Sequence, residues 1–340
     1  MSPRQSKSKS ALSCLVIGDI NIDVIIPAEE YPPVGGEVVV EHADFRLGGS
    51  GCNTAVSLAK LGAETAIIGN LGTDPFGQIA QQYIESANVK TLFIQQKEGF
   101  QTGCFTILTT PDGQRTMFGS RGSNAEPPQL TKILPHLQDI DLLHISGYTF
   151  IDDQQWKIVQ QLIEKASEER IIISLDSGMF TVNTAKHRLE TILPMIDLLL
   201  ISSDELTVLT SLKQKDKSVM HILKRGTKSV VLKKGSCGSE YFDLCTHAHQ
   251  PALKSSSITN KDTTGAGDCF NAGFLYGYLK GLENQESLLL GNTVAFISII
   301  SEHGISDLCK AKNLKEDICH LLSSIEFDKV SKSKIIEALL

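Results

Sequence analysis

The chain of 340 residues lacks the two commonest sequence fingerprints of a phosphate-binding loop. No Gly-x-x-x-x-Gly-Lys-Ser/Thr motif occurs in it, and no Gly-x-Gly-x-x-Gly follows its first predicted strand. These absences exclude a P-loop nucleotide site and a dinucleotide site of the Rossmann type. Any phosphate group that the protein binds must be held by a different kind of loop.

Three further absences narrow the class of protein. No apolar run approaches the roughly 20 residues that a membrane helix needs, so we expect no membrane partner. The net charge of −7 disfavours a nucleic-acid partner, because phosphate backbones are bound by clustered Lys and Arg. The eight cysteines include no Cys-x-x-Cys pair, which is typical of reduced thiols in a cytoplasmic protein.

Short apolar runs alternate with longer amphipathic segments along most of the chain. Helical spacing of apolar residues, as between Asp152 and Glu168, separates runs that have the pattern of buried strands. These runs are Cys14–Ile17, Thr65–Gly69, Leu142–Ile145, Ile171–Leu175, Leu198–Ile201 and Ser229–Leu232. The alternation predicts an α/β fold with a central, mostly parallel sheet flanked by helices, and with ligands at the carboxyl ends of the strands.

Two stretches interrupt this alternation. Glu37–Phe45, and Gln101–Phe118 with a turn at Pro111–Gln114, have the pattern of extended strands and a hairpin. They predict a small separate β-sheet, formed by about 35–48 and 100–120, that acts as a lid and excludes water from a substrate. A hairpin that only decorates the fold or joins two copies of the chain is the alternative, and we expect a homodimer through this lid.

The domain organisation follows from these patterns. We expect one large α/β domain over 11–325, with a flexible tail over 1–10 and a C-terminal segment over 326–340.

The most informative stretch of the sequence is the loop Asp262–Asp268, which follows a strand-like run at Ser255–Thr259. Gly265 and Gly267 allow the backbone to turn sharply, and the apolar spacing after Asp268 predicts a helix. Backbone N–H groups at a helix N-terminus suit a phosphate. A carboxylate beside that phosphate has a use if it accepts a proton from an attacking hydroxyl. The alternative is an ordinary helix cap with an acid that complements the helix dipole.

Polar residues at three other places suit a ligand. Asp19, Asn21 and Asp23 share one face if the first strand continues, and such a face suits a polyhydroxylated molecule; solvated residues at a strand end are the alternative. The segment Gly48–Asn53 opens a helix, where Asn53 can bind a hydroxyl or serve as a helix cap. The segment Lys234–Gly238 is either a tight turn or a bed for nucleotide phosphates.

From about Leu15 to Asp307 the sequence resembles the ribokinase-like (PfkB) carbohydrate kinase family. Gly48–Asn53 is similar to the N-terminal motif of that family, and Asp262–Asp268 matches its C-terminal Asp-Thr-x-Gly-Ala-Gly-Asp motif.

The resemblance implies roles for individual residues. It makes Asp268 the catalytic base, with the N–H groups of Gly265, Ala266 and Gly267 as the anion hole for the transferring phosphoryl group. It places Asn21, Asp23, Gly49 and Asn53 on the sugar hydroxyls. It also places Lys233, Gly235, Ser236 and Gly238 on the nucleotide loop, and Asn292 near the adenine.

The resemblance also implies metal ions. Glu205 matches a family glutamate that helps to hold the magnesium–phosphate complex through water, whereas Ser202 stands where the family has Asn. Asp262 and the loop around Ser301–Ser306 are similar to a monovalent-cation site, which implies K⁺.

The expected function is an ATP-dependent and Mg²⁺-dependent transfer of the γ-phosphate to a hydroxyl of a ribose-like, fructose-like or ketodeoxy-sugar-acid-like substrate. A nucleoside kinase of the same family and a non-catalytic sugar or nucleotide sensor are the alternatives. Ser50 stands where a ribokinase often has Lys, and Arg121 either meets an anionic substrate or is a solvated surface residue.

Overall fold

The computed structural model describes residues 12–112, 114–253, 263–301, 305–311, 313–324 and 327–340. The strands, numbered in chain order, are β1 Ser13–Ile17, β2 Asn21–Pro27, β3 Asp44–Gly48, β4 Glu64–Gly72, β5 Lys90–Lys97, β6 Gly103–Thr109, β7 Arg115–Ser120, β8 Leu142–Ser146, β9 Ile172–Asp176, β10 Leu198–Ser202, β11 Ser229–Lys233, β12 Ser239–Phe242 and β13 His247–Gln250.

The α-helices that the described residues form are α1 Ser50–Lys60, α2 Pro75–Ser86, α3 Leu130–Ile133, α4 Asp153–Glu168, α5 Met179–Thr184, α6 Lys186–Ile192, α7 Ser203–Thr210, α8 Lys215–Lys224, α9 Ala266–Leu279, α10 Asn284–Ile300, α11 Ile305–Lys310, α12 Leu314–Ser324 and α13 Lys329–Leu339. None of the described helices has the length and apolar character of a membrane span.

Among the described residues, nine strands form the main sheet, in the order β13-β12-β11-β10-β9-β8-β1-β4-β5. The strands from β11 to β5 in this order pair in parallel, and β12 and β13 add an antiparallel hairpin at one edge. All six strands predicted in the main body are confirmed, as is the helix after Asp152. The predicted α/β fold with a mostly parallel sheet is therefore confirmed.

The main sheet is buried on both faces. Successive side chains of a strand point to opposite sides, and helices cover each side. In β10, Leu198 and Leu200 belong to one hydrophobic core, whereas Leu199 and Ile201 belong to the other. Helices α1, α9 and α10 cover the first core, and α4, α6 and α8 cover the second. The C-terminal helix α13 adds its buried Leu339 to the first core, so the segment expected at 326–340 packs on the main body.

The second sheet has the order β3-β2-β6-β7, and we call it the lid. The predicted hairpin is confirmed, since β6 and β7 pair antiparallel around the turn at Pro111–Gln114, in which Gly113 lies outside the described residues. The predicted strand at Glu37–Phe45 is wrong over most of its length, because the strand there is Asp44–Gly48. Residues 37–43 have β propensity, but among the described residues β2 pairs with 44–48 in their place.

The first strand does not continue to Asn21, so the condition under which Asp19, Asn21 and Asp23 would share one face of a strand is not met. Strand β1 ends at Ile17, and the chain crosses at Gly18–Ile20 into the lid, where β2 begins. The buried side chain of Asn124 fixes this crossing: Ile20 N donates to Asn124 Oδ1 (2.9 Å), and Asn124 Nδ2 donates to Ile20 O (3.0 Å) and Asn21 Oδ1 (2.9 Å). Because these bonds satisfy buried backbone groups, they set where the lid leaves the main sheet.

Candidate active site

A cavity of about 160 Å³ lies between the main body and the lid. Its walls combine polar residues from the crossing, from the start of α1 and from the loop before α9 with apolar residues from the lid. The lining residues are Asp19, Asn21, Asp23, Gly49, Ser50, Asn53, Phe105, Ile107, Met117, Tyr148, Thr264, Gly265 and Asp268. The residues predicted to bind a sugar therefore meet the predicted catalytic base in one cavity.

Asp268 lies in the first turn of α9, and two residues of α1 hold its carboxylate. Ser50 Oγ donates to Asp268 Oδ1 (2.8 Å), and Asn53 Nδ2 donates to Asp268 Oδ2 (2.8 Å). Asn53 is therefore not the cap of α1; that position is taken by Gly49, whose φ is 95° and whose added Cβ would lie 2.1 Å from the Asp19 carbonyl oxygen. This close approach permits only Gly at position 49 and brings the crossing against the start of α1.

The surroundings of Asp268 favour its protonated form. The pKa of Asp268 is raised to about 7, mainly by burial and secondly by repulsion from the Asp176 carboxylate. The hydrogen bonds from Asn53 and Ser50 lower this pKa but do not outweigh the two causes that raise it. The half-buried carboxyl is thus close to half-protonated near neutral pH. A carboxylate of this pKa can take a proton from an alcohol more readily than an ordinary Asp can.

Asp176 is a buried second carboxylate that the sequence analysis did not select. It ends β9, where Lys233 Nζ donates to its Oδ1 (2.8 Å) and Asn271 Nδ2 donates to its Oδ2 (2.9 Å). Burial opposes the charge, but the Lys233 ammonium outweighs this effect and the pKa of Asp176 is lowered. Ser50 Oγ also lies 3.3 Å from Asp176 Oδ2, so one hydroxyl stands between the two carboxylates. The available signal was an acidic residue at the carboxyl end of a buried strand.

The loop before α9 has the form expected of an anion site only in part. Gly265 caps α9 in the left-handed conformation, with φ of 75° and no side-chain cap bond. The Ala266 N–H donates to Thr263 O (3.2 Å), so a phosphate would rely on Gly265 and Gly267. Gly267 is exposed, and a Cβ added to it would meet only Lys233 Nζ, at 3.7 Å. The amide groups of this helix end therefore lie beside the partly buried ammonium of Lys233.

The predicted nucleotide loop forms a short turn between β11 and β12. Gly235 has φ of 54°, and a Cβ added there would meet no atom within 4 Å, so the backbone is open to a ligand. Ser236 lies in the same one-turn 3-10 helix, and Gly238 packs closely against the Gln250 carbonyl oxygen. Lys233 does not extend into this loop, because its ammonium is turned to Asp176.

Asn292 is buried on α10, and protein groups use its side-chain amide. Its Nδ2 donates to the carbonyl oxygens of Gln250 (3.3 Å) and Pro251 (3.1 Å), and its Oδ1 accepts from Ser239 Oγ (3.1 Å). Asn292 therefore holds the β12–β13 hairpin in place. Its contact with adenine stays a prediction.

Glu205 and Ser202 form the N-terminus of α7. Ser202 Oγ accepts from Glu205 N (3.2 Å), and Glu205 Oε2 accepts from Ser202 N (2.9 Å) and Ser177 Oγ (3.0 Å). This reciprocal capping gives Ser202 a structural role at the position where an Asn was expected. Asp262 and Ser255–Thr259 lie outside the described residues, and the metal roles of Glu205 and Asp262 stay predictions.

Arg121 is neither a solvated residue nor an anion-binding residue of the cavity. Its guanidinium donates to both oxygens of Asp19 (2.9 and 2.7 Å), to Asp152 and to Gln155 Oε1 (3.0 Å). These acidic neighbours balance its charge, so the expectation of an anionic substrate at Arg121 is wrong for this arrangement.

The relatives of this chain define its class: it is a kinase, that is, a phosphotransferase with a hydroxyl group as acceptor. The family model described as pfkB family carbohydrate kinase matches residues 11–311, and the chain belongs to that family. The resemblance predicted from the sequence motifs is confirmed.

Individual known proteins agree with this assignment. The chain is 25% identical to 2-dehydro-3-deoxygluconokinase of Haemophilus influenzae, over 79% of this chain and 91% of that protein. It is 31% identical to an uncharacterized sugar kinase of Archaeoglobus fulgidus, over 71% of this chain and 93% of that protein. The structure of Arabidopsis thaliana ribokinase complexed with ribose and ATP matches with a TM-score of 0.76 at 21% identity, over 97% of this chain and 99% of that one. This last similarity shows a shared fold.

The pKa of about 7 makes Asp268 a source of pH-dependent stability. An unfolded Asp has a pKa of about 3.9, so between about pH 4 and pH 7 the folded protein binds a proton that the unfolded chain releases, and stability falls as the pH rises through this window. Asp268→Asn should therefore raise the free energy of unfolding by about 1–2 kcal/mol at pH 8. This value is smaller than the full pKa shift would give, because water reaches the half-buried carboxyl. At pH 4 the substitution should leave the free energy of unfolding unchanged. Chemical denaturation at both pH values measures the difference.

A suitable control is Asp216→Asn, because the Asp216 side chain on α8 is 85% exposed. It should leave the free energy of unfolding unchanged at both pH values. An Asp268→Asn effect of the same size at pH 4 and pH 8 would contradict the raised pKa.

Proposed function

We propose that this protein transfers the γ-phosphate of ATP to a hydroxyl of a sugar, with Asp268 as the general base. The observation that carries the proposal is the position of the Asp268 carboxylate, which lines the cavity and also stands at the N-terminus of α9. An alcohol in the cavity and a phosphate at the helix end would meet at this carboxylate.

The reaction at this site has a simple balance. The acceptor oxygen forms a bond to phosphorus as the bond from phosphorus to the leaving ADP oxygen breaks, and the hydroxyl proton passes to Asp268. The pKa of Asp268, near 7, suits it for accepting that proton and releasing it again. The N–H groups of Gly265 and Gly267 would stabilise the charge on the transferring phosphoryl group.

The polar wall of the cavity supports a hydroxylated acceptor. Asn53 Oδ1 is buried and has no hydrogen-bond partner among the described residues, so a ligand hydroxyl would satisfy it. Asn21 and Asp23 at the start of β2, and the backbone at Gly49, line the same wall. We propose these four residues as the sugar-binding set.

The proposed function also requires sites for the nucleotide and for the metal ions. The open turn at Gly235, with Ser236 and Gly238, would hold the phosphates of ATP, and Asn292 would support the hairpin behind it. Mg²⁺ fits Glu205, because a hard cation takes carboxylate oxygens and retains its waters; bound there, it would neutralise phosphate charge. Asp262 remains the proposed contact for K⁺.

The assignment of the base is tested by Asp268→Asn. Phosphorylation, followed as ADP release with ATP, Mg²⁺ and a panel of sugars and nucleosides, should fall by about 10²–10⁴ because no group accepts the proton. ATP binding, followed by a thermal shift, should change little. Reactions without Mg²⁺ or without acceptor are the blanks, and Asp216→Asn is the matched carboxylate control. Turnover close to that of the original enzyme would show that Asp268 is not the base.

We further propose that Lys233 supplies positive charge to the transferring phosphoryl group. Its ammonium lies 3.7 Å from the place of a Cβ on Gly267 and donates to Asp176 and to Asn271 Oδ1 (3.3 Å). The side chain is 16% exposed, so its charge is screened little by water. Asp176 thereby holds the ammonium beside the amide groups of the helix end before a phosphate arrives.

Lys233→Met should lower kcat by about 10²–10³ and leave KM for the acceptor within twofold, because the charge acts on the phosphoryl group. Lys233→Arg should keep part of the activity. Lys165→Met is the matched control, since Lys165 lies on α4 and pairs with Glu168 at the surface. Because Lys233→Met leaves Asp176 unpaired and can destabilise the fold, the double variant Lys233→Met with Asp176→Asn tests the same loss without a buried lone charge. A double variant with unchanged kcat would refute this role.

A homodimer through the lid also stays a proposal. The edge strand β7 is exposed along its length, and Phe118 and Phe45 on the outer face of the lid are 71% and 50% exposed. Such an apolar face beside an open sheet edge is suited to burial against a second copy. Phe118→Asp should therefore shift the protein from dimer to monomer in sedimentation velocity at micromolar concentration. If the protein without this substitution is already a monomer in the same measurement, the proposal is wrong.

We also propose a cytoplasmic location. The described cysteines Cys14, Cys52, Cys104, Cys237, Cys245, Cys269 and Cys319 are free thiols, which suits a reducing compartment. Fractionation of the source cells would test this location.

A further inference from the structure

Ser50, at the start of α1, lies between the two carboxyl groups of the site. Its Oγ is 2.8 Å from Asp268 Oδ1 and 3.3 Å from Asp176 Oδ2, so the hydroxyl proton belongs to Asp268 in this structure. Rotation about the Cβ–Oγ bond moves that proton without breaking an O–H bond. A movement of a few tenths of an ångström would bring Asp176 Oδ2 within the usual hydrogen-bond distance. The Ser50 proton therefore has a second acceptor within reach.

The two oxygens of the Asp268 carboxylate have different kinds of partner. Oδ2 accepts from Asn53 Nδ2 (2.8 Å), and an amide NH2 group only donates. Oδ1 accepts from Ser50, whose oxygen can accept as well as donate. A proton on Oδ2 would face the N–H of Asn53, whereas a proton on Oδ1 can point to Ser50 Oγ once the Ser50 proton has turned away. Oδ1 is thus the oxygen better suited to hold the proton of an acceptor hydroxyl.

Asp176 is well placed to receive the Ser50 proton. Lys233 Nζ donates to its Oδ1 (2.8 Å) and keeps the carboxylate charged, and Asn271 Nδ2 donates to its Oδ2 (2.9 Å). A carboxylate oxygen has two lone-pair sites, so Oδ2 can accept from Ser50 as well. Asp176 and Asn271 are both buried, so their positions are fixed and water does not take the place of Ser50.

The other charged and titratable groups around this pair are either neutral or bonded elsewhere. His144 on β8 is neutral near pH 7, because burial lowers its pKa to about 4. Burial also raises the pKa of Tyr148, so that its hydroxyl stays protonated. Glu205 accepts hydrogen bonds at the start of α7, and Asp19 is paired with Arg121. Asp176 and Asp268 are therefore the two carboxylates between which the Ser50 proton can move.

We propose that Ser50 is a positioning residue, whose hydroxyl proton turns from Asp268 to Asp176 when Asp268 Oδ1 takes the proton of the acceptor hydroxyl. The O–H bond of the acceptor breaks and an O–H bond forms at Asp268 Oδ1, while the O–H bond of Ser50 stays intact. The protonated Asp268 then donates to Ser50 Oγ, and Ser50 donates to Asp176 Oδ2. Neither form of the base is left without a hydrogen bond at Oδ1. This inference rests on the proposed function, in which Asp268 is the general base.

Removal of the hydroxyl tests its contribution to turnover. Ser50→Ala should lower kcat about tenfold in the ADP-release assay and leave KM for the acceptor within about twofold, because the hydroxyl acts on the base during proton transfer. Ser86→Ala is the matched control, since Ser86 is exposed on α2 and donates to Tyr83 O (2.8 Å). An unchanged kcat in Ser50→Ala would overturn the inference.

The turn of the proton also makes Ser50 and Asp176 depend on each other. Asp176→Asn keeps the size of the side chain, and the Lys233 ammonium would attract its amide oxygen, so that an NH2 group, which cannot accept, faces Ser50. Made on this background, Ser50→Ala should lower kcat by less than about twofold, against about tenfold in the original protein. The same loss in both backgrounds would mean that Ser50 only supports the fold, and the inference would be wrong.

An NMR titration of the Asp268 carboxyl carbon tests the turn without a substrate; Asp268→Asn identifies the signal by its loss. Because Ser50 bonds to both forms of Asp268, Ser50→Ala should move the midpoint by less than about half a pH unit. On the Asp176→Asn background Ser50 only donates to the charged form, so Ser50→Ala should raise the midpoint by about one pH unit. A rise of that size in both backgrounds would refute the turn. If no acceptor supports ADP release, the proposed function fails, and this titration still decides the role of Ser50.

Discussion

The site depends on the contact between α1 and the first turn of α9. Ser50 and Asn53 come from one end of the chain and hold the Asp268 carboxylate from the other end. These two hydrogen bonds fix the direction of a carboxylate that would otherwise turn freely at the start of a helix. They also tie the lid crossing to the catalytic loop, because Gly49 lies directly against Asp19 just before Ser50. The acceptor-binding wall of the cavity, the base and the N-terminus of α9 are therefore held in one fixed arrangement.

The electrostatics of the site come from two neighbouring carboxylates, of which one, Asp176, is paired with the Lys233 ammonium. Lys233 is bonded to Asp176, which keeps that carboxylate charged, and the resulting negative charge adds to burial in raising the pKa of Asp268. The two acids therefore differ in protonation because their neighbours differ. Ser50 stands between them with a single hydroxyl proton, so it can donate to only one carboxylate at a time.

Local sequence patterns predicted most of the strands and helices of the fold. The strands of the main body were predicted because short continuous apolar runs indicate strands buried on both faces, and the helix after Asp268 was predicted from apolar spacing of period 3.6. The strand at Glu37–Phe45 was predicted wrongly, since its β-branched residues favour a strand, whereas β2 pairs with Asp44–Gly48. The sequence also left open whether β1 continues to Asn21, because Asn124, whose side chain bonds to the crossing at Ile20, lies about a hundred residues away in the chain.

By itself, the sequence determined the α/β alternation, the glycine loop before α9, the identity of Asp268 as the acid in that loop and the membership of the family, because each of these is written in contiguous residues. Only the tertiary structure decided that Asp176 and Lys233 pair beside that acid, that Asp19 and Asp152 occupy Arg121, and that Phe105 faces the cavity. These facts depend on residues far apart in the chain and on which face of a strand meets which neighbour. Such pairings arise from packing, and no local pattern specifies them.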